Sequence, residues 1–474
     1  MPNEAFNKRS LHSKKIVLVL FHNDLRVHDN ATLVKAAQLA HDSSNHDGRL
    51  ILTYVPTLAT AIRKKAWEQP YYFDKKGWAS QRFLAESLAD LDRSLQLLGN
   101  KLLYIPRATP FKASSSPLQA VQADKGDAFS LLCELIEAHY VTDICISQTA
   151  DYAQIKAYEA LQDKYPQIEW HSQTTATLFA KLPTENVPKS FTQFRKIIEA
   201  THNLLTALQD LDSCRMLTAL PPMPESLSHS KVYFYQNQVF EQASDSYLQI
   251  ASDFKGGESA ALIHLEKYFT GEAPSTYKST RNAMDEWTHS TKFSPWLANG
   301  SLSVNVLLNR LRHYEREVIA NDSTYWIWFE LLWREYFYWY AIEHQERLFL
   351  FQGISNHKPD TGHDEQRLKA WQKGETSYPI VNACMRQLNQ TGYMSNRGRQ
   401  LVASAFIHEL RLDWRYGATY FEQQLIDYDV ASNWGNWQYL AGVGADPRGC
   451  RQFNLSKQTQ QHDPDGSFRE KWLP

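Results

Sequence analysis

The chain of 474 residues is longer than a single hydrophobic core usually supports, so two domains are expected. Hydrophobic residues make up 43% and charged residues 22%, the balance of a globular protein rather than a disordered or fibrous one. The formal net charge of −2 excludes nucleic-acid binding through overall positive charge, so any such site must be a local patch.

Cysteine usage and the N-terminus narrow the class further. None of the five cysteines forms a CxxC pair, which argues against a zinc site or a disulfide framework and favours reduced thiols. The basic residues near the N-terminus precede only the strand-length apolar run Ile16–Phe21, which is too short for a signal peptide or a membrane span. We therefore expect a cytoplasmic, monomeric protein without a metal site.

The first third of the chain alternates short apolar runs with helical patterns. NATLVKAAQLA and WASQRFLAESLADLDRSLQLLG have helical periodicity, and the second ends at Gly99. The strand-like runs are Ile16–Phe21, Leu50–Val55, Lys101–Pro106 and Asp143–Ser147. This alternation predicts an α/β domain with a doubly wound parallel sheet over residues 1–168. No GxGxxG follows the first run, so a dinucleotide is not expected to bind there.

The pattern changes after residue 168. Residues 169–230 are rich in Ser, Thr and Pro and are interpreted as an interdomain connector with short helical turns. From about Phe254 onward the periodicity is helical, which predicts an all-α domain over residues 231–474. Eleven of the 14 tryptophans lie after residue 280. Such aromatics usually form a core, but they also suit base stacking or electron transfer.

One predicted helix has an unusual face. Glu330, Trp333, Arg334 and Phe337 are spaced i, i+3, i+4 and i+7 and so share one side of the helix. An acid and a base among large aromatics form a poor core pattern, because buried charge must be paired. Spacing alone leaves open a simple surface ion pair between Glu330 and Arg334.

Three other segments concentrate polar residues, and each has a structural alternative. STKFSPWLANGSLS, with one lysine among hydroxyls before a helix, suits phosphate binding, although alone it is a weak signal. TGYMSNRGRQ clusters Asn396, Arg397, Arg399 and Gln400 at a predicted helix start, which favours an anion or else a solvated basic turn. In LIDYDVASNWGNWQY, Asp427 and Asp429 lack further metal ligands, and Asp429 or Asn433 could simply cap a helix.

Taken in order, these segments resemble the photolyase–cryptochrome family along the whole chain. The resemblance is carried by VLFHNDLRVHDNATL, by TYKSTRN with STKFSPWLANGSLS, by FELLWREYF, by NACMRQLNQTGYMSNRGRQ and by LDWRYGATYFEQQLIDYDVASNWGNWQYLAG. MSNRGRQ, YDVASNWGNWQY and VGADPRG resemble the DASH cryptochrome branch, which is similar to repair enzymes for cyclobutane pyrimidine dimers in single-stranded DNA. The resemblance implies an antenna-type α/β domain and an all-α FAD-binding catalytic domain.

The resemblance also implies a set of FAD-binding residues. They are Tyr277, Ser290, Thr291, Lys292, Phe293, Ser294, Glu330, Arg334, Asn396, Arg399, Asp427, Asp429 and Asn433. Within this set, Arg399 and Asp427 would form an ion pair near the isoalloxazine. Asn433 would face flavin N5, where a neutral amide can accept a hydrogen bond from N5–H.

A second implied set binds the substrate. Glu330 and Asn396 would hydrogen-bond a dimer that receives an electron from light-excited, reduced FAD, and Trp333 would stack on it. The flanking phosphates would contact Arg281, Arg334 and Arg397. Gln400 and Tyr439 stand where duplex-repairing relatives have Met and Trp. With these residues the pocket would bind a flipped-out dimer more weakly. The binding energy would then offset less of the cost of flipping the dimer out of a duplex, which implies a preference for single strands.

The resemblance further concerns electron supply and light harvesting. Trp437 and Trp414 match the inner and middle members of the family's electron-transfer chain, whereas no tryptophan stands between Gln352 and Ala370 to match the outer one. Tyr393, Tyr439 or Trp434 are the candidate substitutes. A methenyltetrahydrofolate antenna would need an acid near SQTADYAQ, where Asp151 is the nearest candidate.

Three functions remain in competition from the sequence. The first is a photolyase-type enzyme that acts on single-stranded DNA, with RNA or undamaged DNA as further partners. The second is an FAD-based blue-light photoreceptor that binds nucleic acid without repairing it. The third is a light-independent nucleotide-binding or electron-transfer protein whose site lies at the carboxyl ends of the sheet strands.

Overall fold

The computed structural model describes residues 15–42, 47–56, 58–59, 76–105, 128–182, 184–201, 217–228, 254–355, 357–445 and 451–473. The predicted boundary at residues 230 and 231 lies outside these residues, as do residues 446–449 of the VGADPRG segment.

The N-terminal part is a five-stranded, wholly parallel sheet. Its strands are β1 (Ile16–Phe21), β2 (Arg49–Tyr54), β3 (Leu102–Tyr104), β4 (Asp143–Ser147) and β5 (Glu169–Gln173), in the spatial order β3-β2-β1-β4-β5. The helices between them are α1 (Ala31–His41), α2 (Trp78–Leu97), α3 (Ala128–Ala138) and α4 (Tyr152–Lys164). Along β1, Val17 and Val19 join one hydrophobic core while Leu18 and Leu20 join another. Cores on both faces of the sheet confirm the predicted doubly wound architecture.

The edge strand β5 begins the segment that the sequence assigns to a connector. Its residues, EWHSQ, are mostly polar and partly exposed, so they lack the apolar run that marks a buried strand. Glu169 lies opposite Asp143 of β4, and His171 Nε2 lies 2.9 Å from Asp143 Oδ1. Lys15 Nζ, 3.5 Å from the same oxygen, supplies a cation, so we interpret this cluster as a charge network at the sheet edge.

The C-terminal part is helical, as predicted. The helices after the sheet are α5 (Phe191–Ala200), α6 (Glu225–Ser228), α7 (Glu258–Thr270), α8 (Ala273–Thr280), α9 (Ser294–Ala298), α10 (Val304–Glu317), α11 (Asp322–His344), α12 (Glu365–Lys373), α13 (Pro379–Thr391), α14 (Asn396–Ser404), α15 (Trp414–Gln424), α16 (Val430–Ala441), α17 (Leu455–His462) and α18 (Ser467–Trp472). A 3₁₀ turn at Gln345–Phe349 follows α11, and a π-helical turn at Ala405–Glu409 follows α14. Across the described ranges, no helix has both the length and the apolar character that crossing a membrane requires.

Local capping fixes where the site-bearing helices begin. The Asn321 side chain accepts from the Ser323 and Thr324 N–H groups, which starts α11 with a capping box. Ser395 Oγ accepts from Gly398 N–H at the start of α14, and Asp429 accepts from Ser432 N–H at the start of α16. The predicted helix start in TGYMSNRGRQ is confirmed, and so is the capping role of Asp429.

A buried arginine joins the two parts of the molecule. Arg26 is 2% exposed, and its guanidinium donates to the carbonyls of Gly300 and Thr175, both at 2.9 Å. Gly300 has a φ of +73°, and a Cβ there would lie 2.0 Å from the Asn23 carbonyl oxygen. This close approach requires glycine and holds the helical part against the carboxyl end of β1.

Candidate cofactor and substrate site

Three adjoining cavities lie within the helical part. Cavity A, about 450 Å³, lies between α8, α11, α14 and the segment Ser290–Ser294. Cavity B, about 120 Å³, lies between α14, α15 and α16. Cavity C, about 210 Å³, lies between α9, α10 and α11. Arg399, Asp427 and Ser432 border all three, so the cavities form one branched site.

Almost every residue predicted from the sequence borders these cavities. Cavity A is bordered by Tyr277, Arg281, Ser290, Thr291, Lys292, Ser294, Glu330, Trp333, Arg334, Asn396, Arg399, Gln400, Asp427 and Tyr439. Cavity B adds Asp429, Asn433 and Trp437, and cavity C adds Phe293. Arg397 and Trp414 are not among the bordering residues. The structure thus brings together residues that are up to 162 positions apart, from 277 to 439.

Glu330 pairs with Arg281 rather than with Arg334. The Arg281 guanidinium lies 2.5 Å from Glu330 Oε1, although Glu330 lies on α11 and Arg281 directly follows α8. Burial raises the pKa of the Glu330 carboxyl, while the positive charge of Arg281 opposes that rise. The surface pair that spacing left open is therefore not the arrangement found, because Arg334 is engaged elsewhere.

Arg334 connects three segments around the cavities. Its guanidinium donates to the carbonyls of Ala176, at 2.6 Å, and Leu297, at 3.3 Å. Both acceptors are backbone groups, so the side chain fixes the connector and the end of α9 against α11. Its predicted role in binding a phosphate or the cofactor remains a prediction.

Trp333 presents only part of its indole ring to cavity A. Phe191 of α5 stacks on the ring with centroids 3.7 Å apart and an interplanar angle of 11°. Tyr439 meets the same ring edge-on at 6.3 Å. Phe337 also stacks on the ring at 5.5 Å and 28°, so only the part of the indole that borders cavity A is available to a planar ligand.

Arg399 and Asp427 form the predicted ion pair. Arg399 Nη2 lies 3.0 Å and 2.7 Å from the two carboxylate oxygens of Asp427, whose side chain is 2% exposed. Ser294 Oγ donates to the same carboxylate at 2.6 Å. Arg399 also donates from Nε to the Met394 carbonyl. These partners satisfy a buried charge and fix its position at the junction of the cavities.

The amide of Asn433 is oriented by the backbone of the neighbouring helix. Asn433 Nδ2 donates to the Ala418 carbonyl at 3.0 Å, so the amide oxygen points away from that carbonyl. Asn433 borders cavity B together with Asp429 and Trp437. A neutral acceptor in this cavity is the group that the family resemblance places at flavin N5.

The segment Ser290–Ser294 has the chemistry of an anion site. Lys292 is 8% exposed and donates from Nζ to Ser290 Oγ at 2.8 Å, a neutral partner. Lys292 has a φ of +56°, a strained conformation for a residue other than glycine. The nearby His289 Nδ1 is buried without a hydrogen-bond partner among the described residues, and His289 also borders cavity A. A buried ammonium beside hydroxyls and an unsatisfied imidazole nitrogen fit the diphosphate of a dinucleotide.

The predicted electron-transfer residues occupy a buried aromatic cluster. Trp437 lies 5.3 Å from Phe421 and 6.3 Å from Trp371, measured between ring centroids. Trp414 lies 5.7 Å from Trp434 and is fully buried. Of the three candidate substitutes for the outer tryptophan, Trp434 packs against Trp414 but is itself 2% exposed, whereas Tyr393 and Tyr439 border cavity A. The route of electrons to the surface remains a prediction.

The candidate antenna residue Asp151 has a structural role. It caps α4 by accepting from the N–H groups of Ala153 and Gln154, and it is 2% exposed. A carboxylate that is buried and used as a helix cap is poorly placed to bind a ligand from solvent. The folate antenna therefore gains no support from this residue.

Sequence reasoning assigned no site role to several polar bordering residues, among them Ser432, Asn436 and His289. Ser432 and Asn436 border cavities A and B and are spaced i and i+4 on α16, one residue before Asn433 and three after it. Their helical spacing from the predicted Asp429 was the available signal. His289 gave no signal, because its importance depends on a buried nitrogen that only the fold reveals.

Known proteins resemble this chain over nearly its whole length. A family model described as DNA photolyase matches residues 17–215, and one described as the FAD binding domain of DNA photolyase matches residues 326–474. The cryptochrome DASH of Idiomarina loihiensis is 46% identical over 97% of this chain and 92% of its own length. The chain belongs to the photolyase–cryptochrome family, in its DASH branch.

Further members of the family agree with this placement. The cryptochrome DASH of Vibrio parahaemolyticus is 44% identical over 97% of this chain and 93% of its own length. The crystal structure of a Synechocystis cryptochrome superposes with a TM-score of 0.79 at 34% identity, covering 98% of this chain and 90% of that one. A class III photolyase from Agrobacterium tumefaciens gives 0.75 at 26% identity, covering 99% and 88%.

Family membership makes FAD the cofactor of the helical part. Three observations in this chain fit that assignment: the branched site, the buried Lys292 with its neutral partner, and the acceptor amide of Asn433. The residues that would hold FAD are therefore those around Arg399 and Asp427 at the junction, with the diphosphate at Ser290–Ser294.

Proposed function

We propose that this protein repairs cyclobutane pyrimidine dimers in single-stranded DNA in a light-driven reaction. The observation that carries the proposal is the composition of cavity A, where Glu330, Trp333 and Asn396 lie in the same space as the diphosphate segment and the Arg399–Asp427 pair. A substrate in this cavity would therefore lie next to the cofactor. Reduced FAD, when bound and excited by blue or near-ultraviolet light, supplies the electron that splits the dimer.

Trp333 provides the main apolar contact with the substrate. Stacking of a base on an aromatic side chain contributes about 1–3 kcal/mol. Because Phe191 already holds the indole ring at 3.7 Å, little side-chain entropy is lost when a base stacks on it. The tryptophan is thus ordered before the substrate arrives.

Glu330 is arranged to take up a proton when the substrate binds. In the absence of substrate, Arg281 at 2.5 Å favours the carboxylate, whereas burial raises the pKa of the group. A nucleic-acid phosphate that binds Arg281 weakens this pairing, so Glu330 is protonated more readily. The protonated carboxyl can then donate a hydrogen bond to a carbonyl oxygen of the dimer, where negative charge develops.

Gln400 and Tyr439 support the preference for single strands. Both border cavity A, as Trp333 does, and they are more polar than the Met and Trp of duplex-repairing relatives. Flipping a dimer out of a duplex costs a few kcal/mol, and a single strand avoids most of that cost. A pocket that binds the flipped-out dimer less tightly is therefore expected to act on single strands and only weakly on duplexes.

The test is repair of a dimer-containing oligonucleotide under blue light by the chemically reduced protein, with the single strand and its duplex compared. We expect light-dependent loss of dimers from the single strand and much slower loss from the duplex.

Glu330→Gln keeps a hydrogen-bond donor and should retain part of the rate, whereas Glu330→Leu should lose most of it. No repair of either substrate would refute the enzyme and favour a photoreceptor, and equal rates would refute the role of Gln400 and Tyr439.

A further inference from the structure

A buried histidine that does not border the cavities contacts the segment Ser290–Ser294. His264 of α7 is 9% exposed and is not among the residues that border cavities A, B and C. Its Nε2 lies 2.9 Å from the Thr291 carbonyl oxygen. A carbonyl can only accept, so Nε2 must carry the proton and donate it.

Aromatic rings hold the imidazole in one orientation. The ring of His264 stacks on Trp296 at 5.1 Å and 27°, and it meets Phe293 at 5.1 Å and Trp287 at 5.5 Å edge-on. Burial lowers the pKa of His264, which keeps the imidazole neutral near neutral pH. The donor is therefore fixed in both direction and protonation state.

The hydrogen bond determines where the next N–H group points. In a trans peptide the C=O and N–H bonds point in opposite directions, so a Thr291 carbonyl directed at His264 turns the Lys292 N–H away from α7. Thr291 and Lys292 both border cavity A, whereas His264 does not. The Lys292 N–H is thereby available to a ligand in that cavity.

The backbone of the segment has the form of an anion-binding nest. Lys292 has a φ of +56°, and the following Phe293 is right-handed helical with φ −74° and ψ −15°. Successive residues of opposite handedness direct their N–H groups into one concavity, which suits an anion. The left-handed conformation of Lys292 is unfavourable by itself and needs an anchor, which the hydrogen bond from His264 supplies.

We propose that His264 is a positioning residue for the FAD diphosphate, acting by fixing the Thr291–Lys292 peptide so that its N–H faces cavity A. The inference rests on the assignment of FAD to these cavities. It predicts a specific loss of cofactor affinity without contact between His264 and the cofactor.

The test measures the affinity for FAD of the full-length protein, from the rise in flavin fluorescence when the holoprotein is diluted. His264→Phe keeps the aromatic packing and removes the donor, and we expect roughly tenfold weaker FAD binding, the effect of one lost buried hydrogen bond. His264→Gln keeps an N–H donor and should bind within about threefold of the natural protein. If the Phe variant does not fold, His264→Asn, which is too short to reach the carbonyl, takes its place.

A double-mutant cycle separates positioning from general stability. Lys292→Met weakens the same diphosphate contact, so the two substitutions together should cost clearly less than the product of their separate effects. The proposal would be overturned if the Phe variant bound FAD as tightly as the natural protein, or if the Gln variant bound no better than the Phe variant. It would also be overturned if the two substitutions acted independently, so that the double variant bound FAD roughly a hundredfold more weakly. Failure of the unsubstituted protein to bind FAD would instead refute the assignment of the cofactor.

Discussion

Two glutamates on α11, five residues apart, lie in different environments: one borders a cavity and the other is buried in the core. Glu330 borders cavity A and has Arg281 as its partner. Glu335 is fully buried away from the cavities, where it accepts from Leu178 N–H at 3.0 Å and from Trp339 Nε1 at 3.0 Å. Burial raises the pKa of Glu335 from 4.5 to about 7, although these hydrogen bonds and Arg334 oppose the rise.

The raised pKa of Glu335 predicts how stability changes with pH. Below pH 4.5 the group is protonated in both the folded and the unfolded chain, so its contribution there is complete. Between pH 4.5 and about 7 the unfolded chain releases this proton while the folded chain keeps it, so stability falls as pH rises and then levels off. The loss over this window is on the order of 3 kcal/mol.

The measurement is urea unfolding at pH 5 and pH 8, followed by tryptophan fluorescence. Glu335→Gln cannot ionise, so the difference in unfolding free energy between the two pH values should shrink by roughly 2–3 kcal/mol. Overall stability of the variant will be lower, because the two donors contact different carboxylate oxygens and the amide nitrogen that replaces one of them cannot accept. An unchanged pH dependence would show that Glu335 does not titrate in this range.

At this scale, spacing predicts neighbours on one helix but not partners from another. The i, i+3, i+4, i+7 pattern placed Glu330, Trp333, Arg334 and Phe337 on one face, and all four border cavity A. The ion pair of Glu330 with Arg281 joins residues 49 positions apart, so no local pattern could indicate it. Only the packing of α8 on α11 brings the two side chains together.

At the scale of elements, the connector contributes to the site. Its helix α5 places Phe191 on Trp333 and Phe194 on Tyr336, at centroid distances of 3.7 Å and 5.4 Å. Phe191→Ala removes a stacking partner of the Trp333 indole, which borders cavity A. We expect about tenfold weaker binding of a single-stranded, dimer-containing oligonucleotide, because the indole must then be ordered on binding.

Phe194→Ala is the matched control for this change. Both phenylalanines are buried on the same helix, and each truncation should cost about 3–5 kcal/mol of stability. Fluorescence anisotropy at low temperature, with FAD content measured for each variant, compares their affinities. Equal losses of affinity in the two variants would indicate a general effect on folding and contradict a role for the Phe191–Trp333 stack.

Some elements could be predicted from the sequence more accurately than others, and the difference has physical reasons. β1 and β4 were predicted from buried apolar runs, and the structure confirms both bounds, at Ile16–Phe21 and Asp143–Ser147. β5 was missed because an edge strand needs few apolar residues. Within the part predicted to be helical, the chain from Asn396 to Glu409 divides into α14 and a π-helical turn, because periodicity does not register a local change in hydrogen-bond pattern.

At the scale of the whole molecule, charge is nearly balanced, with 50 basic and 52 acidic residues. Nucleic-acid binding must therefore depend on a few local cations near cavity A. Arg281 borders the cavity, and Arg397 lies beside it, donating to Asn282 Oδ1 at 3.0 Å. Burial lowers the pKa of Arg397, and the positive charge of Arg281 lowers it further, so these two cations are close enough to repel each other. An anion between them relieves that repulsion.

A small number of phosphate contacts predicts a weak dependence of binding on salt. Each contact with a single strand contributes about −0.7 to the slope of log K against log salt concentration, so two or three contacts give about −1.4 to −2. Arg397→Gln should reduce the magnitude of this slope by about 0.7. Arg310→Gln, which removes a cation paired with Glu266 away from the cavities, should leave the slope unchanged. A slope near −6, or equal effects of the two substitutions, would show that binding uses a broad basic face and that the local patch is not the site.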